Sequence, residues 1–327
     1  MQYKKLGRTV LKISEVGLGT MSFGYPMEEA DAVRLMKHAF SKGINFVDTA
    51  WGYNDGKAEE IVGKGIKGER DKLVVATKFG GPRTGPGANE VGASRKNIMS
   101  SVEASLRLLD TDYIDIYFLH WPDYDTPIEE TLRALDDLIQ QGKVRYAGCC
   151  NFRAFQLCKA LWVSDKYNLA RFETIQTPLN LLTRDVEYEL LPLCDMEEVG
   201  VMAFNPTAAG LLTGKLDMNK QAPEGSRFAD KGDIGNAYRA RYWTEANFKA
   251  VEDLKKMVEG HGKSLGQFAI AWSLKHESIN TQLLGADSIE HFDENLGGLD
   301  IEITKEEQDF CDQIWKKLNP PRFLYGR

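Results

Sequence analysis

Nowhere in its 327 residues does this chain hold a run of about 18 apolar residues, so the sequence predicts no membrane span. The opening segment, "MQYKKLGRTVLKIS", lacks the apolar centre of a secretory signal. No Gly-x-Gly-x-x-Gly follows an early strand. Gly17-Leu18-Gly19 runs on into Thr20-Met21-Ser22, which argues against an open dinucleotide-binding sheet. Cysteine is sparse and odd in number: Cys149, Cys150, Cys158, Cys194 and Cys311, with no C-x-x-C spacing. That favours free thiols in a reducing cytoplasm over a disulfide frame or a zinc site, and no metal is expected. Positive charge is in deficit, with 41 Lys and Arg against 48 Asp and Glu, so no broad basic surface is expected for nucleic acid. Low-complexity segments and interdomain linkers are absent too, and no regulatory segment is expected ahead of Met1-Gln2-Tyr3.

What is present is periodic. Short apolar runs recur, each followed by a segment of helical period: "EVGLG" (15–19), "INFVDTA" (44–50), "KLVVATKFG" (72–80), "YIDIYFLH" (113–120), "VRYAGCC" (144–150), "TIQTPLN" (174–180), "GVMAFNP" (200–206) and "TQLLGA" (281–286). Most lie roughly thirty residues apart, the length of one strand–helix unit. Val33, Met36 and Phe40, then Ile98, Val102 and Leu109, recur at helical spacing. Capping boxes are expected at Thr126–Glu129, Ser264–Gln267 and Thr304–Glu307. Eight strands in alternation with helices, without the open-sheet fingerprint, predict a single-domain (β/α)8 TIM barrel over 1–327. A long insert, including "KGDIGNAYRARYWTEANF", is expected between strands 7 and 8, over or beside the C-terminal rim.

In such a barrel the chemistry gathers at the C-terminal strand ends. The second run ends on Asp48, with Tyr53 in the following loop; the third ends on Lys78 and the fourth on His120. Singly, each has an ordinary explanation: a turn cap, a rim aromatic, a snorkelling lysine, a core histidine. Together they suit the protonation of an oxygen that becomes negative. An ammonium beside a phenol is expected to lower its pKa from about 10, the carboxylate keeps the ammonium charged, and a neutral imidazole orients the same substrate oxygen. The nearby Glu59 and Glu60 are expected on a solvated helix start.

The stretches "LGRTVLKISEVGLGTMSFG", "GINFVDTAWGYNDGKAEEIVG", "VVATKFG", "DYIDIYFLHWPD", "GKVRYAGCCNF", "IQTPLNLL", "GVMAFNPTAAGLLTGK" and "GADSIEHFDENL" occur in series. In this the chain resembles the aldo-keto reductase superfamily over essentially its whole length, in the branch of the potassium-channel beta subunits. The resemblance implies an N-terminal hairpin closing the barrel floor, within "QYKKLGRTVLKIS". It implies an NAD(P)(H)-dependent oxidoreductase moving hydride between nicotinamide and a carbonyl or alcohol, with Asp48, Tyr53, Lys78 and His120 as catalytic tetrad and Tyr53 as general acid/base.

For the cofactor, the resemblance implies contacts from Gly19, Thr20, Met21 and Asp48. Cys150, Asn151 and Gln176 match the trio at the carboxamide, although Cys150 stands where serine is usual. Phe204 matches the stacking aromatic. Asn205, Pro206, Thr207, Gly210, Leu211, Lys215 and Arg227 match the pyrophosphate segment. Gly285, Asp287, His291 and Asn295 match the adenosine end. Asp287 replaces the usual cation at the 2′-phosphate and leans toward NAD(H); otherwise it caps the next helix. NADP(H) is kept slightly ahead of NAD(H). The substrate pocket is expected from Phe23, Tyr25, Trp51, Tyr53, Phe79, His120 and Trp121, with Tyr124 and Phe152 nearby and Arg83 and Arg95 in the loop after the third strand. Expected partners are a small carbonyl or alcohol, neither nucleic acid nor membrane, with a homo-oligomer left open. So is the docking of the tail "NPPRFLYGR". The alternatives are a cofactor-binding regulatory module of the channel-subunit type, a sugar dehydratase or epimerase using transient oxidation, or an unrelated barrel isomerase or hydrolase.

Overall fold

The computed structural model describes residues 1–81, 87 and 89–320. Arg83, and the tail from residue 321 onward, fall outside the described residues. In chain order the strands are β1 (Tyr3–Lys5), β2 (Lys12–Ser14), β3 (Val16–Gly19), β4 (Phe46–Asp48), β5 (Val74–Phe79), β6 (Ile114–Leu119), β7 (Val144–Cys150), β8 (Phe172–Pro178), β9 (Gly200–Phe204) and β10 (Ile279–Leu284). The helices are α1 (Glu29–Ser41), α2 (Lys57–Ile66), α3 (Arg95–Leu109), α4 (Ile128–Gln140), α5 (Ala154–Tyr167), α6 (Leu190–Met196), α7 (Asp233–Tyr242), α8 (Glu245–Gly260), α9 (Leu265–Leu274), α10 (Ile289–Leu296) and α11 (Lys305–Leu318).

β3 to β10 close a barrel in sequence order, β10 pairing in parallel with β3. The eight apolar runs supply the eight staves. They read as nearly continuous apolar segments because both faces of a parallel sheet are covered, and all of β5 is buried. Gly19 pairs with Asp48, Asp48 with Ala76, Lys78 with Phe118 and Cys150 with Gln176. β1 and β2 form the separate antiparallel hairpin. Its Leu6 and Ile13, both fully buried, join Phe46, Val74, Ala76, Ile116, Phe118 and Met202 in one core cluster, so the hairpin plugs the barrel floor. Gly200 is required there: a Cβ on it would lie 2.5 Å from a Leu6 methyl carbon.

The described residues group into two compact units. The first comprises Met1–Thr177, Val186–Phe204 and Glu277–Phe292, and holds the barrel staves. The second comprises Pro178–Asp185, Asn205–His276 and the chain from Asp293 onward. The long insert between β9 and β10 contributes α7, α8 and α9 to it. Within it, Phe228, Trp243 and Phe248 stack edge-on in series, and Arg239 donates to the carbonyls of Phe228 and Asp230.

Of the three expected capping boxes, one is complete. Thr304 accepts from the Glu307 amide at 3.2 Å, and Glu307 accepts from the Thr304 amide at 2.7 Å. Thr126 instead donates its hydroxyl to Asp123, which already gathers the amides ahead of α4. Ser264 makes no side-chain cap, and Gln267 turns its side-chain amide to the Glu294 carbonyl. In α1 the buried face is Ala32, Leu35, Met36 and Ala39, with Val33 and Phe40 at its margins. Ile98, Val102 and Leu109 are buried as expected. Truncating the floor plug, Leu6→Ala, should lower the unfolding free energy by about 2–5 kcal/mol. Urea titration followed by far-UV circular dichroism measures it, and an unchanged midpoint would remove the hairpin from the core.

Candidate active site

Side chains alternate along a strand, so residues two apart share a face. Phe46, Ala76, Phe118 and Met202 point into the barrel core. Asp48, Lys78, His120 and Phe204 each come two residues later, at the C-terminal end of the same stave or just past it. The periodicity that fills the core therefore delivers an acid, an amine, an imidazole and a ring to one rim.

Lys78 is at the centre. Its Nζ donates to Asp48 Oδ2 at 2.6 Å, to the Thr49 carbonyl at 2.8 Å and to the Tyr53 hydroxyl at 3.1 Å. An ammonium has three donors, and all three are engaged. The pair is almost wholly buried, with side-chain exposures of 2% for Lys78 and 3% for Asp48. Burial alone would push the lysine down, but Asp48, Tyr53 and Cys150 outweigh it, and the net shift is upward. The amine stays charged. Asp48 is held in turn by Gln176, whose Nε2 donates to Oδ1 at 2.5 Å, and its main-chain carbonyl accepts from the Thr20 amide and hydroxyl.

Tyr53 departs from expectation in its acidity. Burial raises the phenol above its ordinary value, and the opposing pull of Lys78 does not cancel this. The phenol is therefore a firmly protonated acid with a cation already in place for its anion. The His120 ring meets the Tyr53 ring edge-on, with centroids 5.9 Å apart, and stacks on Trp121. Burial, reinforced by the Lys78 charge, lowers the imidazole to about 3, so it is neutral as anticipated.

Other expected residues gather nearby. Gly19 and Gly285 face one another, a Cβ on Gly285 meeting the Gly19 carbonyl at 3.8 Å. Ser22 donates to the Ala286 carbonyl, joining the same two loops. Met21 is half-buried beside them. Asn151 donates its amide to the His120 carbonyl at 3.0 Å. Cys150 is buried, and burial pushes its thiol up, past the opposing effect of Lys78. Trp51, Phe79 and His120 line a small cavity with Lys78, Gly80, Gly81 and Ser101. Phe23 does not reach it, being fully buried in the core, whereas Tyr25 and Tyr124 are largely exposed and Trp121 about half. Phe152 is buried against Phe172. Arg95 is engaged by Asp137.

Asp287 does not cap α10. Ser288 does so, accepting from the His291 amide at 3.1 Å, while Asp287 Oδ1 meets His291 Nδ1 at 2.6 Å. Asn205, Pro206, Thr207, Gly210, Leu211, Lys215 and Arg227 belong to the second unit. There Lys215 is exposed, 3.8 Å from Glu294. Arg227 is half-buried with no hydrogen bond or ion pair among the described residues. Asn295 lies in the last turn of α10.

Two features escaped the sequence. Asn54 has an amide that donates to the carbonyls of Met21, Phe23 and Tyr25, at 3.4, 2.7 and 3.2 Å, pinning the Tyr53 loop to the loop after β3. Its positive φ of 51°, followed by 54° at Asp55 and 84° at Gly56, was signalled only by the turn-forming letters Asn-Asp-Gly. Glu59 is fully buried rather than solvated, and accepts from the Thr77 hydroxyl at 2.5 Å. Glu60 is the solvated one, paired with Lys57 and Lys64. Among the described residues no three His, Cys, Asp or Glu side chains gather as a metal would need, and no helix is long and apolar enough to cross a membrane.

This rim of converging strand ends defines a class. The aldo/keto reductase family profile matches residues 15–316, and the chain belongs to that family. It is 36% identical over 308 residues to a probable voltage-gated potassium channel subunit beta of Arabidopsis thaliana, covering 92% of each chain. It is 32% identical to the versiconal hemiacetal acetate reductase of Aspergillus parasiticus, covering 98% of this chain and 99% of that one. With an uncharacterized oxidoreductase, YrpG, of Bacillus subtilis (strain 168) it shares 34% identity over 94% of this chain and 93% of the relative. The family and its reductase-named members support an oxidoreductase of a kind that generally uses NAD(P)H.

The histidine yields a pH prediction. Its folded-state value lies below the unfolded one of about 6.5, so the unfolded chain takes up the proton first. Its contribution to stability is therefore complete above about pH 6.5 and is lost as pH falls from there toward 3. Imidazole NMR from pH 8 to 5 should show His120 neutral throughout; titration near 6.5 would contradict the buried environment.

Proposed function

We propose that the chain is an NAD(P)(H)-dependent oxidoreductase that interconverts a small carbonyl and its alcohol, with Tyr53 as general acid/base. The observation that carries this reading is the buried Asp48–Lys78–Tyr53 relay with neutral His120 beside it. Bound cofactor supplies or accepts the hydride. As the substrate oxygen becomes negative, Tyr53 transfers its proton to it. The phenolate left behind already has the Lys78 ammonium 3.1 Å away, so the charge is met without reorganisation. Asp48 fixes that ammonium, and His120, unable to hold a charge, hydrogen-bonds the same oxygen and orients it.

The residues suit a nicotinamide dinucleotide by their own chemistry. The amide nitrogens of Asn151 and Gln176 are engaged, while their amide oxygens accept from no described residue and suit a carboxamide N–H. Cys150 is a weaker donor than the usual serine. The partly buried ring of Phe204 offers a stacking face. NADP(H) is kept slightly ahead. The contact with His291 turns the Asp287 carboxylate toward its own helix, which lessens its repulsion of a 2′-phosphate. The channel-subunit relatives support a second reading, a cofactor-bearing regulatory module whose turnover is secondary.

Titration with NADPH and NADH, followed by nicotinamide fluorescence, should give tighter binding of NADPH; the reverse order would overturn the preference for NADP(H) and restore the lean of Asp287 toward NAD(H). Across a panel of aldehydes and ketones, Tyr53→Phe should lower kcat/KM by about 10²–10⁴-fold with cofactor affinity unchanged. Undiminished turnover in that variant would overturn the mechanism. Tight cofactor binding with no turnover on any carbonyl would favour the regulatory module.

A further inference from the structure

The proposed reaction leaves one buried acid unused. Glu59 is fully buried, and its Oε1 accepts from the Thr77 hydroxyl at 2.5 Å. A carboxylate out of water persists only where its surroundings support it. Part of that support is its place in the first turn of α2, where the helix dipole favours negative charge. The rest is Thr77, which immediately precedes Lys78 on β5. Side chains alternate along a strand, so Lys78 faces the rim while Thr77 faces the helices. Glu59 lies just beyond the turn that follows Tyr53. In that turn Gly56 donates to the Trp51 carbonyl at 2.9 Å and Ala58 to the Tyr53 carbonyl at 3.4 Å. The Glu59–Thr77 bond therefore joins the helix entered from the phenol's turn to the stave that carries the ammonium. Asn54 fastens the same turn to a different neighbour, the loop after β3. The helix is itself closely seated on α3, a Cβ on Gly63 meeting the Leu108 carbonyl oxygen at 2.7 Å.

We infer that Glu59 is a positioning residue, which through Thr77 holds the Tyr53 turn at the distance from Lys78 that proton transfer uses. This rests on the function proposed above. The phenol is faced by Lys78, Asp48, Cys150 and His120, and Lys78 is the one cation among them. Loosening the turn draws the phenol away from that cation, so its anion is less well supported. In alcohol oxidation Tyr53 acts as the base, and the rate rises with pH as the phenol loses its proton. In Glu59→Ala and in Thr77→Val this rise should move up by about one pH unit, a roughly tenfold loss of rate below it, the scale of one charge-assisted hydrogen bond. The loss should fall on kcat, with KM and cofactor affinity unchanged. Glu59→Gln can still accept from the Thr77 hydroxyl and should keep the wild-type profile. The Glu59→Ala/Thr77→Val pair should add little to either change alone, since both act through one bond. In the protein without cofactor, amide exchange at Gly56 and Ala58 should quicken in Glu59→Ala and Thr77→Val, and stay slow in Glu59→Gln.

Should Glu59→Ala fail to fold, Thr77→Val, which keeps the shape of the side chain, carries the test. An unmoved pH profile in Thr77→Val would overturn the positioning role while leaving the proposed function intact. So would a loss in Glu59→Gln equal to that in Glu59→Ala, because the carboxylate would then act by its charge. A wild-type chain that turns over no carbonyl or alcohol would overturn the proposed function instead. Exchange at Gly56 and Ala58 would then decide alone whether the bond fastens the turn: quickened in Thr77→Val it supports the fastening, unchanged it overturns it.

Discussion

A single buried ammonium organises this rim. Taking the charge of Lys78 out of water is expensive, and only a set of acceptors that uses every one of its donors makes it tolerable. Asp48, the Thr49 carbonyl and the Tyr53 hydroxyl are that set. Removing one partner of such a pair typically costs about 3–5 kcal/mol, because an uncompensated charge is left behind. The site and the fold are thus coupled: Asp48 orients the ammonium, Gln176 orients Asp48, and Thr20 holds the main-chain carbonyl of Asp48. The same charge reaches His120, where it adds to burial in keeping the ring neutral.

The barrel makes this arrangement affordable in backbone terms. β4, β5, β7 and β8 are held in register by main-chain hydrogen bonds that owe nothing to the polar residues at their ends. Loops supply what strands cannot. Asn54 ties the Tyr53 turn to the loop after β3, and the run of left-handed residues that follows Tyr53 leads the chain into α2. Relatives named as channel subunits and as reductases share this scaffold at similar identity. Fold alone therefore does not choose between their activities.

Much of this was legible in the letters. Eight apolar runs at regular spacing, with no glycine fingerprint, pointed to the barrel, and the strand-end letters named Asp48, Lys78 and His120. Burial could not be read so easily. Glu59 and Glu60 are neighbours of equal charge at a helix start, yet the helical period turns one to the core and the other to water. The acidity of Tyr53 likewise depends on a contest between desolvation and an adjacent cation, and letters do not weigh the two. Capping followed the same pattern. Thr304 and Glu307 met as their spacing implied, whereas Thr126 found a better acceptor in Asp123.

Cys150 has a quieter consequence. Under the proposed function, a sulfhydryl at the end of β7 shares its rim with an electrophilic carbonyl, which invites self-poisoning by adduct formation. Its reactive form is the thiolate, and the apolar interior withholds that form even with a cation close by. Cys149, Cys194 and Cys311 are shielded in the same way, and only Cys158, on the outer surface of α5, is exposed. An enzyme handling reactive carbonyls in this barrel would thus be armoured against its own substrates, with alkylation or oxidation falling first on a surface sulfur outside the Lys78 relay.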